Sequence, residues 1–241
     1  MDVEHVCERL TTWIAGRVKE AGASGAVVGV SGGVDSAVVL ALCRRALGDD
    51  VLALVLPCHS SNEDVEHARM VIERFGARSL LVDLSGPYDA LMKAFGREGG
   101  GGRDLAVLNV RPRLRMIALY YHAALLNYLV VGTGNRSEIS VGYFTKYGDG
   151  GVDLLPIGGL VKQEVRELAR YLGVPDVIVD KPPTAGLWPG QTDEGEMGLK
   201  YEDIDRYLLT GQGDPDLIAR IREKHERSEH KRRMPPIPEI H

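Results

Sequence analysis

The chain has 241 residues, of which 44% are hydrophobic and 26% are charged, and its net charge is −5 at pH 7. This composition excludes collagen-like, low-complexity and disulfide-rich proteins, and the net charge argues against a surface built to coat nucleic acid. No apolar run reaches the roughly 20 residues that span a bilayer, so we expect a globular, cytoplasmic protein without a membrane partner. We expect free thiols at Cys7, Cys43 and Cys58, because their spacing does not suit a metal site.

Apolar runs alternate with segments of helical periodicity along the chain. In order, the pattern predicts a helix at 2–20, a strand at 26–30, a helix at 35–47, a strand at 51–56, a helix at 62–75 capped by Ser61 or Asn62, a strand at 79–84, a helix at 109–127, a strand at 128–131 and helices at 161–172 and 214–233. The strands are continuously apolar, which is typical of parallel strands covered on both faces. The predicted fold class is α/β: a Rossmann-like doubly wound parallel sheet with helices on both faces, plus a C-terminal basic helix and tail.

Two segments are predicted to be loops. Four consecutive glycines at 99–102 predict a mobile loop, because glycine adds flexibility and no side chain for a core. The stretch 181–191 is rich in Pro and Gly and predicts a second loop. Pro112 is compatible with the predicted helix around it only in the first turn, where its missing N–H is not needed.

Basic residues cluster at two places. Arg111, Arg113 and Arg115 crowd the start of a predicted helix, where cations oppose the helix dipole. Three explanations of this arginine cluster remain: it binds an anionic ligand, it contacts a partner subunit, or it is a solvated helix end. Residues 220–233 hold seven Lys or Arg against three Glu, which suits either an anion-binding tail or a solvated helix.

The most informative segment joins the first predicted strand to the next helix. It consists of Gly29, Val30, Ser31, Gly32, Gly33, Val34, Asp35 and Ser36. Small residues at such a junction let backbone N–H groups close around phosphate oxygens at a helix N-terminus. The Asp35 carboxylate would repel phosphate unless a cation bridged them, so the loop also predicts Mg²⁺. It is neither a Walker A loop nor the GxGxxG turn of dinucleotide-binding domains.

The sequence SGGVDS at 31–36 resembles the pyrophosphate-binding loop of the ATP pyrophosphatases, which cleave ATP between its α and β phosphates to adenylate a substrate. Within that superfamily, further segments resemble the NAD synthetase family. They are NVRPRLRM at 109–116, GTGNRSE at 132–138, GYFTKYGDG at 142–150, KPPTA at 181–185, LWPGQTDE at 187–194 and HKR at 230–232. The resemblance implies a ligase with ATP as co-substrate. It also implies a reaction in which the nicotinate carboxylate of deamido-NAD attacks ATP to form an acyl-adenylate, after which ammonia displaces AMP to give NAD.

The same resemblance implies roles for individual residues. Loop 29–36, Thr133, Lys162 and Thr184 are expected to bind ATP, and Asp35 and Glu138 are expected to ligate Mg²⁺. The expected contacts of deamido-NAD are Arg113, Phe144, Lys146, Asp153, His230 and Lys231. Because two of these lie in the basic C-terminal segment, that segment is expected to bind an anionic ligand and not merely to be solvated.

Glutamine-dependent members of the family resemble a fusion of this unit to an amidase domain. Only 28 residues precede Gly29, so we expect a single catalytic domain over 1–241 that uses free ammonia, unless a separate subunit supplies it. The resemblance also implies a homodimer. Its candidate interface is the apolar face of the 109–127 helix, made of Leu114, Ile117, Tyr121 and Leu125.

Two rival functions share the phosphate loop. A tRNA thiolase would need catalytic cysteines and a broad basic surface, and three scattered cysteines with a net charge of −5 argue against it. A non-catalytic nucleotide-binding module would not need Glu138 at a second metal position.

Overall fold

The computed structural model describes residues 1–97, 104–184 and 190–240. At its centre is a four-stranded parallel sheet. The strands are β1 (Gly25–Gly29), β2 (Val51–Val55), β3 (Arg78–Leu81) and β4 (Tyr128–Val131), in the spatial order β3-β2-β1-β4. The predicted α/β class is confirmed. The tetraglycine segment 99–102 and part of the predicted loop 181–191, residues 185–189, lie outside the described residues.

Helices connect the strands and continue after β4. They are α1 (Val3–Glu20), α2 (Val34–Leu47), α3 (Asn62–Phe75), α4 (Ser85–Ala94), α5 (Leu105–Leu108), α6 (Val110–Leu126), α7 (Arg136–Val141), α8 (Lys162–Leu172), α9 (Asp176–Val179), α10 (Asp193–Met197), α11 (Tyr201–Thr210) and α12 (Pro215–Arg227), followed by a 3₁₀ turn at Glu229–Lys231. Local sequence explains several starts. Ser61 accepts the N–H of Asp64 at the start of α3, Asn135 and Glu138 cap α7 reciprocally, and Pro112 lies in the first turn of α6.

Residues of the central strands alternate between two apolar cores on opposite faces of the sheet. Val27 and Leu54 face the core formed with α4 and α6, whereas Val28 and Ala53 face the core formed with α1, α2, α3 and α8. Both valines are fully buried, and burial of a side chain of this size contributes about 1.5–3 kcal/mol. The expected cover on both faces is therefore correct for β1 and β2.

The third strand differs from its prediction. All four residues of β3 are exposed, including Leu80 at 46% and Leu81 at 48%. The expectation of cover on both faces is wrong here because, in the part of the chain that the structure describes, β3 is an edge strand that pairs with β2 alone. The strand also ends at Leu81, earlier than the predicted 79–84.

The predicted helix at 214–233 is broken before its end. Ser228 terminates α12, and its Oγ donates to a carbonyl one turn back (2.7 Å). The chain then forms a 3₁₀ turn, from which Lys231 Nζ donates to the carbonyl of Gly142 (2.8 Å). A continuous helix is wrong because the basic end folds back onto the segment after α7.

One face of α6 is apolar and exposed. Ile117, Tyr121 and Leu125 follow each other at helical spacing and are 58%, 60% and 63% exposed. The fourth residue of the predicted interface, Leu114, is partly buried against the core beside α4. Within the described ranges, no helix is both long enough and apolar enough to cross a bilayer, α6 included.

All three cysteines are buried free thiols, as predicted. Burial raises the pKa of Cys43 to about 12 and also raises the pKa of Cys58. We therefore expect a thiol reagent such as dithionitrobenzoate to find no fast-reacting thiol in the native protein and three in denaturant, since the thiolate is the reactive form. A fast-reacting thiol in the native protein would contradict this burial.

Candidate functional site

The crevice at the carboxyl edge of the sheet lies where the strand order reverses. From β1 the chain proceeds to β2 on one side, and it returns later to place β4 on the other side of β1. Loops that leave adjacent strands in opposite directions open a crevice between them, where open α/β sheets bind ligands. Segment 29–36 begins at the last residue of β1 and segment 132–138 follows β4, so two of the predicted motifs border this crevice.

The predicted phosphate loop turns tightly into α2. Gly32 has φ of +82°, in the left-handed region that favours glycine. Ser36 Oγ accepts the N–H of Ser31 (3.2 Å) and donates to the carbonyl of Gly33 (2.9 Å). Gly33 is the N-cap residue of α2 and makes no side-chain cap, so no capping side chain covers the backbone N–H groups of the first turn. Such a helix start carries partial positive charge and suits an anionic ligand.

Three charged side chains meet beside this loop. Lys162 Nζ forms a short ion pair with Asp35 Oδ2 and lies 3.4 Å from Glu138 Oε1. Asn135 Nδ2 donates to the other Asp35 oxygen (2.9 Å), and the backbone N–H of Asn135 donates to Glu138 Oε2 (3.2 Å). Lys162 is only 2% exposed. The two carboxylates predicted to ligate Mg²⁺ thus converge on one point, which the Lys162 ammonium now contacts.

Burial and mutual charge set the protonation of this cluster. Burial raises the pKa of Glu138 to about 7; the Lys162 ammonium opposes this shift, and Asp35 adds to it. Burial alone would lower the pKa of Lys162, but the carboxylates of Asp35 and Glu138 outweigh it and raise this pKa above its usual value. Lys162 is therefore a fixed cation at neutral pH.

Two tyrosines extend the cluster. The Tyr201 hydroxyl lies 3.0 Å from Asp193 Oδ2 and 3.1 Å from Glu138 Oε1, and the Tyr143 hydroxyl donates to Asp193 Oδ1 (3.1 Å). Lys162 Nζ lies 5.0 Å from the centroid of the Tyr201 ring. Burial and the nearby carboxylates raise the pKa of both tyrosines, so both remain protonated donors.

A cavity of about 490 Å³ opens over the loop and the charged cluster, a size typical of small-molecule sites. The predicted site residues that line it are Gly29, Val30, Ser31, Gly33, Val34, Asp35, Ser36, Thr133, Glu138, Phe144, Lys162, Thr184 and Lys231. Gly32, in the same loop, does not line the cavity and lies instead against the backbone of Asp64. One cavity therefore collects nearly all residues predicted to bind ATP and Mg²⁺.

The sequence pattern of the NAD synthase family matches residues 6–235. The chain belongs to the NAD synthase family. The NH(3)-dependent NAD(+) synthetase of Carboxydothermus hydrogenoformans is 52% identical, over 98% of this chain and 97% of its own length. The solved NMN synthetase from Francisella tularensis is 37% identical and superposes with a TM-score of 0.94 over all of both chains. The NH3-dependent NAD synthetase from Campylobacter jejuni, in complex with nitrate, is 33% identical with a TM-score of 0.81, over 99% of this chain and 100% of its own. As a member of this family, the chain is an enzyme.

The residues that the NAD synthase resemblance assigns to deamido-NAD form a group at the cavity mouth and beside it. Lys231 and Phe144 line the cavity, with Lys231 Nζ 5.2 Å from the Phe144 ring centroid. Arg113 lies 3.4 Å from the carbonyl of Lys146, and Lys146 Nζ donates to the carbonyl of His230 (2.7 Å). These last three residues are linked through the backbone carbonyls of Lys146 and His230, and they do not line the cavity.

Asp153 lies apart from that group. Its carboxylate accepts the hydroxyl of Tyr120 (2.9 Å) and the N–H of Val130 in β4 (2.8 Å). In this conformation Asp153 anchors the strand end, and its contact with a dinucleotide stays a prediction.

Sequence reasoning missed several polar residues that contact Asp35 and Glu138 or extend their cluster. Asn135 lies three residues before Glu138, which is the spacing of a capping box, so the sequence could have predicted its place at a helix start beside Glu138. Asp193 lies in a segment that resembled the family but was given no role. Tyr201 carries no sequence signal, because only packing of α11 brings it to Glu138.

A further lysine also escaped the sequence reasoning. Lys181 Nζ donates to Asp64 Oδ1 (2.8 Å) and lies 3.0 Å from His67 Nδ1. Both partners belong to α3, and Lys181 and Asp64 line the cavity. The contact ties the segment that carries Thr184 to the helix beneath Gly32.

Proposed function

We propose that this member of the NAD synthase family forms NAD from deamido-NAD, ammonia and ATP, and releases AMP and pyrophosphate. The proposal rests on the convergence of Asp35, Glu138 and Lys162 beside the phosphate loop 29–36 in one cavity. A carboxylate reacts poorly with ammonia, and adenylation turns its oxygen into a good leaving group. A site that holds phosphates and offsets their charge suits this chemistry.

The donor set at Asp35 and Glu138 fits Mg²⁺. This ion prefers hard oxygen ligands and is commonly held at nucleotide sites by one or two carboxylates together with phosphate oxygens. Both carboxylates already meet at one cation, the Lys162 ammonium, so their oxygens are directed to a shared point. When bound with ATP, Mg²⁺ would neutralise charge on the phosphates.

The remaining steps depend on the chain's own groups. Backbone N–H groups of loop 29–36 and the first turn of α2 hold the phosphates of ATP, with Lys162, Thr133 and Thr184 around them. The nicotinate carboxylate attacks the α-phosphorus, and the pyrophosphate leaves into the loop. Ammonia then attacks the acyl carbon, and AMP leaves. Lys162 stabilises the negative charge that develops on the phosphates, because it is a buried and fixed cation.

Deamido-NAD would occupy the mouth of the cavity. Its proposed contacts are Arg113, Phe144, Lys146, Asp153, His230 and Lys231. The four basic side chains among them suit the two phosphates of a dinucleotide, and Phe144 offers a ring face for nicotinate. Lys146 and Lys231 hydrogen-bond backbone carbonyls in the free protein, so they exchange these contacts for substrate.

Free ammonia is the proposed nitrogen source. The Carboxydothermus relative is named NH(3)-dependent, and the match extends over 97% of its length. This supports the same nitrogen donor for this chain and a single catalytic domain.

A second candidate function comes from the structural comparison. The TM-score of 0.94 is with a protein described as an NMN synthetase, which would amidate a mononucleotide and not a dinucleotide. The two functions share the chemistry of ATP and ammonia. They differ in the acceptor, because deamido-NAD carries an AMP half that the site must also bind and nicotinate mononucleotide lacks it.

One assay tests both functions. The enzyme is incubated with ATP, Mg²⁺ and ammonium, and with either deamido-NAD or nicotinate mononucleotide, and NAD, NMN, AMP and pyrophosphate are quantified by chromatography. We expect NAD and AMP in equal amounts from deamido-NAD. Faster amidation of the mononucleotide would favour the second candidate, product from glutamine alone would overturn the choice of ammonia, and no amide product from either acceptor would refute both functions.

We also propose a homodimer that forms through the exposed apolar face of α6. A contiguous exposed apolar stripe typically marks an interaction surface. The double variant Ile117→Glu/Tyr121→Glu is expected to be monomeric in light scattering, because two centrally placed charges raise the dimer Kd by at least about 10³-fold. Leu209→Glu, an equally drastic change at a residue 48% exposed on α11, is the matched control and should stay dimeric. A dimeric double variant would show that the interface lies elsewhere.

A further inference from the structure

A buried carboxylate supports the catalytic cluster from behind the cavity. Asp205 lies on α11, is only 3% exposed and does not line the cavity. One of its oxygens accepts the hydroxyl of Ser137, and Oδ2 accepts the backbone N–H of Gln163 (2.8 Å). Within ranges 1–97, 104–184 and 190–240, Asp205 makes no ion pair with a Lys or Arg side chain. Its charge is therefore offset by dipoles that belong to α7 and α8.

Ser137 relays this support to a second backbone group. Its Oγ donates to Asp205 and accepts the backbone N–H of Lys162 (3.0 Å). The first N–H groups of a helix have no partner within the helix and need an outside acceptor. The N-cap residue of α8, Val161, has an aliphatic side chain that cannot accept a hydrogen bond. Asp205 therefore caps α8 from another helix, directly at Gln163 and through Ser137 at Lys162.

The position of this cap links it to the chemistry. Ser137 directly precedes Glu138 on α7, and the capped turn of α8 begins with Lys162. Glu138 and Lys162 meet 3.4 Å apart in the cavity. Asp205 thus contacts the side chain next to Glu138 on α7 and the backbone of α8, from which Lys162 extends. A carboxylate at a helix N-terminus is also the charge that the helix dipole favours.

We propose that Asp205 is a positioning residue that sets the geometry between Glu138 and Lys162 and so controls how ATP and Mg²⁺ are bound. The proposal rests on the function proposed above. Asp205→Asn keeps the size of the side chain and an acceptor for Gln163. Its NH₂ group, however, faces the Ser137 hydroxyl and removes the acceptor to which that hydroxyl donates. The substitution thus removes the negative charge behind Ser137 and forces the Ser137 hydroxyl to reorient, and it creates no cavity.

The test compares Asp205→Asn with Asp214→Asn. Asp214 also accepts two backbone N–H groups at a helix start, those of Asp216 (2.9 Å) and Leu217 (3.2 Å), but it is exposed at the start of α12. For Asp205→Asn we expect the Mg²⁺ concentration for half-maximal activity and the KM for ATP to rise about 10- to 100-fold, as for other residues that orient ligand groups. The KM for deamido-NAD should not change. Asp214→Asn should leave all three values unchanged.

A measurement without turnover completes the test. Binding of α,β-methylene-ATP with Mg²⁺, followed by calorimetry, should weaken in Asp205→Asn and not in Asp214→Asn. If Asp205→Asn lowers only the thermal midpoint and binds the analogue like wild type, Asp205 is merely a helix cap and the proposal is wrong. If Asp205→Asn does not fold, Ser137→Ala, which removes the relay alone, decides by the same readouts. Failure of the proposed function is distinguishable, because wild type itself would then form no NAD.

Discussion

Lys162→Met is expected to lower kcat/KM for NAD formation by about 10²–10³-fold, the cost of removing one fixed charge that stabilises a transition state. Lys162 is the buried cation of the cavity, with its ammonium between Asp35 and Glu138. Methionine keeps much of the side-chain length and loses the charge. Steady-state rates with ATP, deamido-NAD and ammonium measure the effect.

The same substitution also changes how stability depends on pH. Without the ammonium, Glu138 faces the Asp35 carboxylate in a partly buried site with no cation between them, which raises the pKa of Glu138 further. Raised folded-state pKa values mean that the folded protein binds more protons than the unfolded chain, so stability falls as the pH rises. The thermal midpoint of Lys162→Met should therefore fall between about pH 6 and about pH 8 more than that of wild type. The lost free energy of unfolding should lie near the lower end of about 3–5 kcal/mol, because the carboxylates retain some solvent contact.

Two controls separate charge from shape at this position. Lys162→Arg keeps the charge, but its wide planar head does not fit a pocket in which the lysine is 2% exposed, so little activity should return. Lys19→Met removes a charge from the exposed last turn of α1 and should change neither rate nor pH profile. Wild-type rates in Lys162→Met would show that this cation does not act on the phosphates.

The phosphate loop was predictable because its determinants are local. The positive φ of Gly32 and the contacts of Ser36 all arise within segment 29–36, between a strand and a helix that also have local signatures. The meeting of Asp35 with Lys162 has no local determinant. It exists only because α8 packs beside α2 in the folded chain. The charge of the loop already indicated Asp35, whereas Lys162 was indicated by resemblance.

The errors have physical causes of the same kind. An apolar run such as 79–84 looks alike whether its strand is central or at an edge, so the exposure of β3 depends on strand order, which the run does not encode. The break after α12 follows from contacts with a distant segment, since Lys231 reaches back to the carbonyl of Gly142. The role of Asp205 could not be predicted for a related reason. An acidic residue in a polar helix is expected to be solvent-exposed, and only the folded arrangement of α7, α8 and α11 buries this one.

The charged side chains in and beside the cavity form two sets that differ in how firmly they are held. Lys162 and the carboxylates beside it lie at the junction of α2, α7 and α8, where they are held by buried contacts from Asn135 and Tyr201. Three of the four basic groups proposed to bind the dinucleotide, Lys146, His230 and Lys231, lie on the segment after α7 and on the C-terminal turn, where Lys231 is half-buried. The fourth, Arg113, lies on α6. On the proposed function, the first set is fixed and suits transition-state charge, whereas Lys146 and Lys231 in the second set exchange their backbone contacts for substrate.

Gly32→Ala is expected to abolish ATP binding and to destabilise the protein by about 3 kcal/mol or more, a cost that combines left-handed strain with overpacking. A Cβ at this position would lie 2.4 Å from the carbonyl oxygen of Asp64 and 2.9 Å from Cβ of His67. Both atoms belong to the first turns of α3, so no side-chain rotation relieves the clash. The loop must lift away from α3, and its N–H groups then no longer converge on the phosphates.

Gly22→Ala separates the two contributions. Gly22 has a similar left-handed φ of +64°, but a Cβ there meets no atom within 4 Å. This control should lose about 1 kcal/mol, the conformational cost alone, and keep ATP binding. Chemical denaturation gives both free energies, and calorimetry with α,β-methylene-ATP gives the affinities. If Gly32→Ala were no less stable than Gly22→Ala and still bound the nucleotide, α3 would yield to the added methyl group, and the close contact between α3 and the loop would not be what shapes the phosphate site.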